Sequence, residues 1–196
     1  MRGAYLYLYL IMDVWSRRIV GWQIAERETA DIAAALITRT CSQANINPRG
    51  LVLHSDNGKA MRGNTMISTL QWLGVIPSFS RPHVSDDNPY SEALFRTLKH
   101  TPAYPRLPFA DLASATRWVT RFVDWYNGTH RHSAIRYVTP DQRHHGCERA
   151  VLASRHDLYE RMRRANPEPW SGRIRNWLPV GSVVLPERAS PARQLS

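Results

Sequence analysis

Two carboxylates frame the chemistry open to this chain. Asp56 closes the short apolar run in Leu51-Val52-Leu53-His54-Ser55-Asp56-Asn57-Gly58. Glu92 follows after 35 intervening residues, within Asp87-Asn88-Pro89-Tyr90-Ser91-Glu92-Ala93-Leu94-Phe95-Arg96-Thr97-Leu98-Lys99. An apolar run that ends in an acid delivers a carboxylate to the rim of a sheet. A second carboxylate brought in from a distant helix start then makes a pair of hard oxygen donors, the donor type of a divalent-metal site. Arg96 and Lys99 lie four and seven residues beyond Glu92 and share its helical face, a placement suited to a metal-bound phosphate. The bland alternative is a solvated Glu92–Arg96 ion pair, worth little in stability.

The flanking sequence supplies the elements that must hold these groups. Tyr5 to Val14 alternates aromatic and aliphatic residues with a period of two and reads as a strand; Arg18 to Ile24 reads as its hairpin partner. Thr29 is a candidate N-cap for a helix reaching about Ala44, with Ile32, Ala35, Leu36 and Thr40 at helical spacing. Leu51 to His54 follows as a short buried strand; coming after a helix, it implies a crossover and a parallel neighbour. Asn64 is placed to cap a helix over 65–73 closed by Gly74, and Val75 to Phe79 is a further strand. The polar, aperiodic stretch Ser80 to Asp87 reads as a mobile loop beside the site. Asn88 as N-cap with Pro89 at the first helical position starts the helix that carries Glu92.

Beyond Pro102, Pro105 and Pro108, Asp111 opens a helix through Asn127 whose Trp118, Phe122 and Trp125 sit at core spacing. The four histidines between His130 and His145 lack the partner spacing of a zinc site and suit surface or phosphate contact. Glu148 to Ala165 reads as a basic helix. The Pro-, Arg- and Trp-rich tail after Asn166 holds one strand-like run, Ser182 to Leu185, and is either an ordered appendage or flexible.

Composition narrows the partners. The 196 residues suit one domain with an appendage, and a hydrophobic fraction of 43% supports a core. The net charge is +10, and Lys59 and Lys99 are the only lysines among 26 cations, so the excess is almost wholly arginine. Guanidinium forks match phosphate oxygens, which points to a polyanionic partner, nucleic acid above all. Cys41 and Cys147 form neither a CxxC motif nor a disulfide framework, in keeping with a reducing cytoplasmic setting. The apolar run near the N-terminus is interrupted by Asp13 and is too short to cross a membrane.

Taken together, His54-Ser55-Asp56-Asn57-Gly58, the spacing to Glu92, the helix from Ser91 to Lys99, and Trp125-Tyr126-Asn127 with Arg131-His132-Ser133 and Thr139-Pro140 resemble the integrase catalytic core of insertion-sequence transposases. The nearest group is the insertion-sequence 3 family, related to retroviral integrases. Asp13-Val14-Trp15-Ser16-Arg17-Arg18-Ile19-Val20-Gly21-Trp22 matches the same pattern. The resemblance implies a ribonuclease H-like mixed α/β sheet flanked by helices, with a partial integrase core over 1–146 and a basic helix and tail over 147–196. It implies two Asp and one Glu holding Mg²⁺ or Mn²⁺ for DNA cleavage and strand transfer. Asp56 matches the second Asp and Glu92 the Glu, as catalytic and metal-binding residues, while Asn57, Arg96, Lys99, Arg131 and His132 match positions expected to contact DNA.

The first Asp has no match here. In relatives it lies on a strand preceding the one that begins at Tyr5, and Asp13 corresponds instead to a turn. The expectation is therefore a core whose first strand and first acid are missing and which is inactive by itself. It would act in the nucleoid on transposon ends and target DNA, as a homo-oligomer or with full-length subunits. The alternative is a non-catalytic DNA-binding or inhibitory protein; a third reading, an independent nuclease, recruits Asp13 as the missing ligand.

Overall fold

Alternation in Tyr7–Met12 produces the first strand, β1, with Leu8, Leu10 and Met12 on one face and Tyr9 and Ile11 on the other. The structure, a computed structural model, describes residues 5–81 and 87–183. β1 runs antiparallel to β2 (Ile19–Ala25), in register from Tyr7 opposite Ala25 to Ile11 opposite Gly21, with an irregularity before Met12. The expected hairpin is present. Gly21 is needed there: a Cβ would drive into the Thr40 side chain, so only glycine lets the next helix lie close against β2.

That helix, α1 (Ala30–Gln43), starts where expected, with the Thr29 side chain accepting the Ile32 amide. β3 (Val52–Ser55) and β4 (Ile76–Phe79) pair in parallel, from Val52 opposite Ile76 to Ser55 opposite Phe79. Their crossover contains two helices, the one-turn α2 (Lys59–Arg62) and α3 (Asn64–Leu73). Asn64 is the first residue of α3 and not its cap, and residue 63 before it makes no side-chain capping bond. Gly74 closes α3 at φ 73°, as its position predicts.

The second half is helical: α4 (Pro89–His100), α5 (Leu112–Gly128), a 3₁₀ turn at Ser133–Ile135, α6 (Pro140–His144) and α7 (Glu148–Ala165). Asp111 caps α5 through a reciprocal box with Ser114, and Thr139 caps α6 through one with Gln142. Three layers result. Ile37, Met66, Leu70 and Val75 pack with Tyr9 and Ile11 of β1 and Leu53 of β3. On the opposite face, Leu94, Leu98, Trp118 and Phe122 pack with Leu8, Leu10 and Met12. Each such buried aliphatic or aromatic side chain stabilises the fold by about 1.5–3 kcal/mol. The expected mixed sheet is present as two pieces, one antiparallel and one parallel. Among the described residues no backbone ladder joins β1 to β3, although both feed the same apolar cluster.

Up to residue 183 the C-terminal stretch packs against the helical half of the fold. Trp177 is buried with Ile135, Val138 and Leu152, which fastens the tail to α7. Arg143, fully buried, pairs with Glu148 at 3.2 Å and donates to the Val180 and Gly181 carbonyls. The strand-like run from Ser182 does not form a strand at 182–183, and its remainder lies outside the described residues.

Candidate functional site

β3 carries Asp56 just past its last residue. The carboxylate is exposed, and Oδ1 accepts the Gly58 amide at 3.0 Å, an Asx turn that leads into α2. Asn57 is committed on both sides of its amide: Nδ2 donates to the Ser80 carbonyl, and Oδ1 accepts from Arg62 at 3.2 Å. It is thereby a brace between the ends of β3 and β4, in addition to any contact it makes with DNA.

His54 ties this strand end to the approach of α4. Its Nε2 lies 3.0 Å from the Asp87 carbonyl, which can only accept, so Nε2 bears the proton and Nδ1 accepts from the Ser78 hydroxyl at 3.0 Å. Asp87 is itself gripped by Arg81, with an ion pair of 2.8 Å and a bond from the Arg81 amide at 2.7 Å. The Arg81 side chain, first among these contacts, lowers the Asp87 carboxyl to about 2. The flanks of the loop expected to be mobile are therefore fastened; its residues 82–86 lie outside the described residues.

α4 begins where Asn88 and Pro89 predict, the Asn88 side chain accepting the Ser91 amide at 3.4 Å. Glu92 falls in the first turn, exposed, where the helix dipole favours a negative charge. Leu94 and Leu98 bury the opposite face and fix the helix against the core. The Arg17 guanidinium lies 4.1 Å from the Tyr90 ring, propping the same turn from the β1–β2 connection. Nothing in the sequence pattern marks this contact except the adjacency of Ser16-Arg17 within a turn.

Glu92, Arg96, Arg131 and His132 line one cleft of about 710 Å³ between α4 and the segment after α5, together with His130 and Ser133. Three of the expected DNA contacts thus converge on the expected catalytic Glu. No ion pair joins Glu92 to Arg96, so the solvated-pair alternative is not realised. Lys99 is exposed on α4 but does not line the cleft, and neither do Asp56 and Asn57. His132 is a neutral ring: burial first, then the Arg17 and His130 charges, depress it to about 4. Its Nδ1 accepts the Ala134 amide at 3.3 Å and holds the 3₁₀ turn, so its contribution to an anion is hydrogen bonding and not charge. Burial likewise lowers His130, which stacks on Tyr126 at 5.5 Å.

A divalent cation needs more than this. Asp56 and Glu92 match it in donor type, but among the described residues no three His, Cys, Asp or Glu side chains converge. The ligand set among the described residues does not fit a complete centre. Asp13 does not make up the number. Its carboxylate accepts from Ser16 Oγ at 2.5 Å and from the Trp15 amide at 3.1 Å, and it pairs with His144 at 3.2 Å. Burial pushes its carboxyl up, but those bonds outweigh burial and leave it lowered. Asp13 organises the β1–β2 turn and joins it to α6, which removes the support for recruiting it as a third ligand.

Comparisons with known proteins bear on the family and the fold. Two models described as integrase core domain match residues 1–85 and 73–140. The transposase of insertion sequence element IS904 from Lactococcus lactis is 32% identical over 136 residues, which is 69% of this chain and 53% of that protein. The transposase InsF of insertion sequence IS3A from Escherichia coli is 28% identical over 49% of this chain and 33% of its own length. The chain spans about half the length, or less, of these curated relatives. Among solved structures, a chain of the simian T-cell lymphotropic virus intasome in complex with PP2A regulatory subunit B56 gamma superposes with a TM-score of 0.58 at 17% identity, covering 74% of this chain and 50% of that one. The catalytic core domain of BIV integrase superposes with a TM-score of 0.50 at 21% identity, covering 78% and 89%. The fold is ribonuclease H-like, and the chain belongs to the integrase core domain family, with insertion-sequence transposases among its relatives.

Proposed function

We propose that this chain is the catalytic-core portion of a transposase that cleaves DNA and transfers strands, and that it is inactive by itself. The observation that carries the reading is the cleft that Glu92, with no ion-pair partner among the described residues, lines together with Arg96 and Arg131. Glu92 and Asp56 would supply two of the ligands for Mg²⁺ or Mn²⁺, the ions whose Lewis acidity activates and stabilises phosphoryl oxygens in such reactions. Arg96 and Arg131 would hold DNA phosphates by their guanidinium forks, and Lys99 would add a point charge further along α4. His132 and Asn57 would act as neutral hydrogen-bonding groups near the backbone of the nucleic acid. The partners are transposon-end and target DNA and further transposase subunits, and the setting is the bacterial cytoplasm at the nucleoid. Residues 1–146 would form the partial core and 147–196 its basic appendage.

A second reading follows from the incomplete ligand set: a non-catalytic DNA-binding regulator of transposition. Binding to duplex DNA and magnesium-dependent nicking by the purified chain separate the two. Salt-dependent binding without nicking is expected, with the salt slope reduced by about one to two in the Arg96→Ala, Arg131→Ala double variant. Robust turnover that Asp56→Asn abolishes would overturn the inactivity of the isolated chain. Absence of DNA affinity at low salt would sink both readings.

A further inference from the structure

Two consecutive arginines leave the β1–β2 turn toward different surroundings. Arg18, partly exposed, pairs with Asp141 of α6 at 2.6 Å. Arg17 is only 8% exposed, and its guanidinium Nε and Nη1 are buried without a hydrogen-bond partner among the described residues. Its backbone stands at φ 67°, a left-handed conformation that is costly for a residue with a Cβ. Arg143, the other buried arginine among the described residues, has Glu148 at 3.2 Å and two carbonyl acceptors. Arg17 has no such acid. Asp13, the carboxylate nearest to it in sequence, is taken up by Ser16, the Trp15 amide and His144. A strained backbone and an uncompensated buried charge at one residue point to an anion supplied from outside the folded chain.

The place where that anion can sit is the cleft. The Arg17 guanidinium lies 4.1 Å from the ring of Tyr90, which follows Pro89 on the α4 wall. On the other wall stand His130 and His132; Tyr126 stacks on the first and meets the second edge-on, and the Arg17 charge acts on both Tyr126 and His132. Arg17 does not line the opening itself but stands behind it, close to residues of both walls. Through packed side chains a charge is screened far less than through solvent, so it reaches an anion it does not touch. We infer that Arg17 is the buried counter-charge of a phosphate subsite in this cleft. A phosphate group held at the opening by Arg96, Arg131 and the proton-bearing Nε2 of His132 is balanced from behind by the Arg17 guanidinium. This rests on the reading of the cleft as a phosphate-binding site and adds to it a residue outside the exposed surface. Because Arg17 acts through its neighbours it is a positioning residue. The phosphate is that of a nucleic-acid backbone or the free ion, since both present the same oxyanion.

The test is a binding titration of the whole chain at constant ionic strength, with inorganic phosphate in one arm and a short single-stranded oligonucleotide in the other. The Nε–H resonance of Arg17 and the ring resonances of His132 are followed by NMR, with sodium chloride as the control. Both residues should shift with one midpoint, in the phosphate arm for a free-ion site and in the oligonucleotide arm for a backbone site. Arg17→Met should weaken binding by about 10-fold, and Arg17→Lys, which keeps the charge, should stay close to the wild type. The urea midpoint of Arg17→Met should be no lower than that of the wild type, because an unpaired buried charge has been replaced by an apolar chain of similar length. Undiminished binding by Arg17→Met, or an equal loss in Arg17→Lys, would overturn the inference. If Arg17→Met does not fold, the wild-type signal decides: an Arg17 resonance that stays put while His132 moves also overturns it. Arg131→Ala separates the two levels. Binding lost there but kept in Arg17→Met removes this inference alone, whereas binding unchanged in both, or absent from the wild type in both arms, removes the cleft reading with it.

Discussion

Glu92 stands on a twelve-residue helix whose buried Leu94 and Leu98 sit in a cluster with Trp118 and Phe122. Asp56 follows a four-residue strand with one neighbour among the described residues, and the paired residues Val52 and Ile76 are 51% and 54% exposed. The helix is positioned by burial of apolar surface, which many contacts share. The strand end is positioned by a few polar bonds: the Gly58 turn, the Asn57 brace and the His54 bridge. Two acids of one proposed site are thus held by different physics. The α4 side should tolerate loss of single polar groups, whereas the β3 side should respond to each of them.

The largest effect should come from the aromatic cluster. Trp118 stacks on Phe122 at 5.7 Å, meets the edge of Tyr104 at 5.5 Å and donates its indole N–H to the Ala103 carbonyl at 2.8 Å. Trp118→Ala should cost about 3–5 kcal/mol in urea unfolding. A loss below about 1 kcal/mol would mean that α4 and α5 are not anchored there, and the contrast between the two acids would fail.

Acid should act next, through the cleft histidine. A folded-state value near 4 for His132 lies below the ordinary histidine range near 6.5. Between those values the unfolded chain binds a proton that the folded chain does not, so stability rises with pH across the window and is lost as pH falls from 6.5 toward 4. The loss should be on the order of 2 kcal/mol. Denaturant melts at pH 7 and pH 4.5 measure it; an equal loss in His132→Gln would remove His132 as its source.

The smallest of the three sharpens the comparison. His54→Ala removes the bonds to Ser78 and the Asp87 carbonyl and should cost about 1–2 kcal/mol. More diagnostic is its location. Faster amide exchange should appear at β3, β4 and the start of α4, with α5 unchanged. Uniform acceleration over the whole chain would show that the β3 side has no separate weakness.

How far the sequence alone reaches follows the same division. The helix bearing Glu92 was legible to the residue, because Asn88 and Pro89 are local signals whose physics involves only the first turn. The same holds for Thr29, Asp111 and the left-handed Gly74. Asn64 misled because two helices abut there, and the chain passes from one to the other without needing a side-chain cap. Arg96, Arg131 and His132 were named separately, as expected DNA contacts, through family resemblance; their convergence on Glu92 was not legible, since no spacing rule relates α4 to the segment after α5.

By itself the sequence determined most of the element types and caps, the charge excess and the two acids, all set by side-chain chemistry acting within a few residues. Tertiary structure alone decided which polar groups remain free. It committed Asp13 to the β1–β2 turn and α6, made His132 a neutral ring under Arg17, and fastened the tail through Trp177. It also left β1 and β3 on opposite sides of one groove. Each of these depends on groups that burial brings together from distant parts of the chain, where desolvation and pairing, not local propensity, set the outcome.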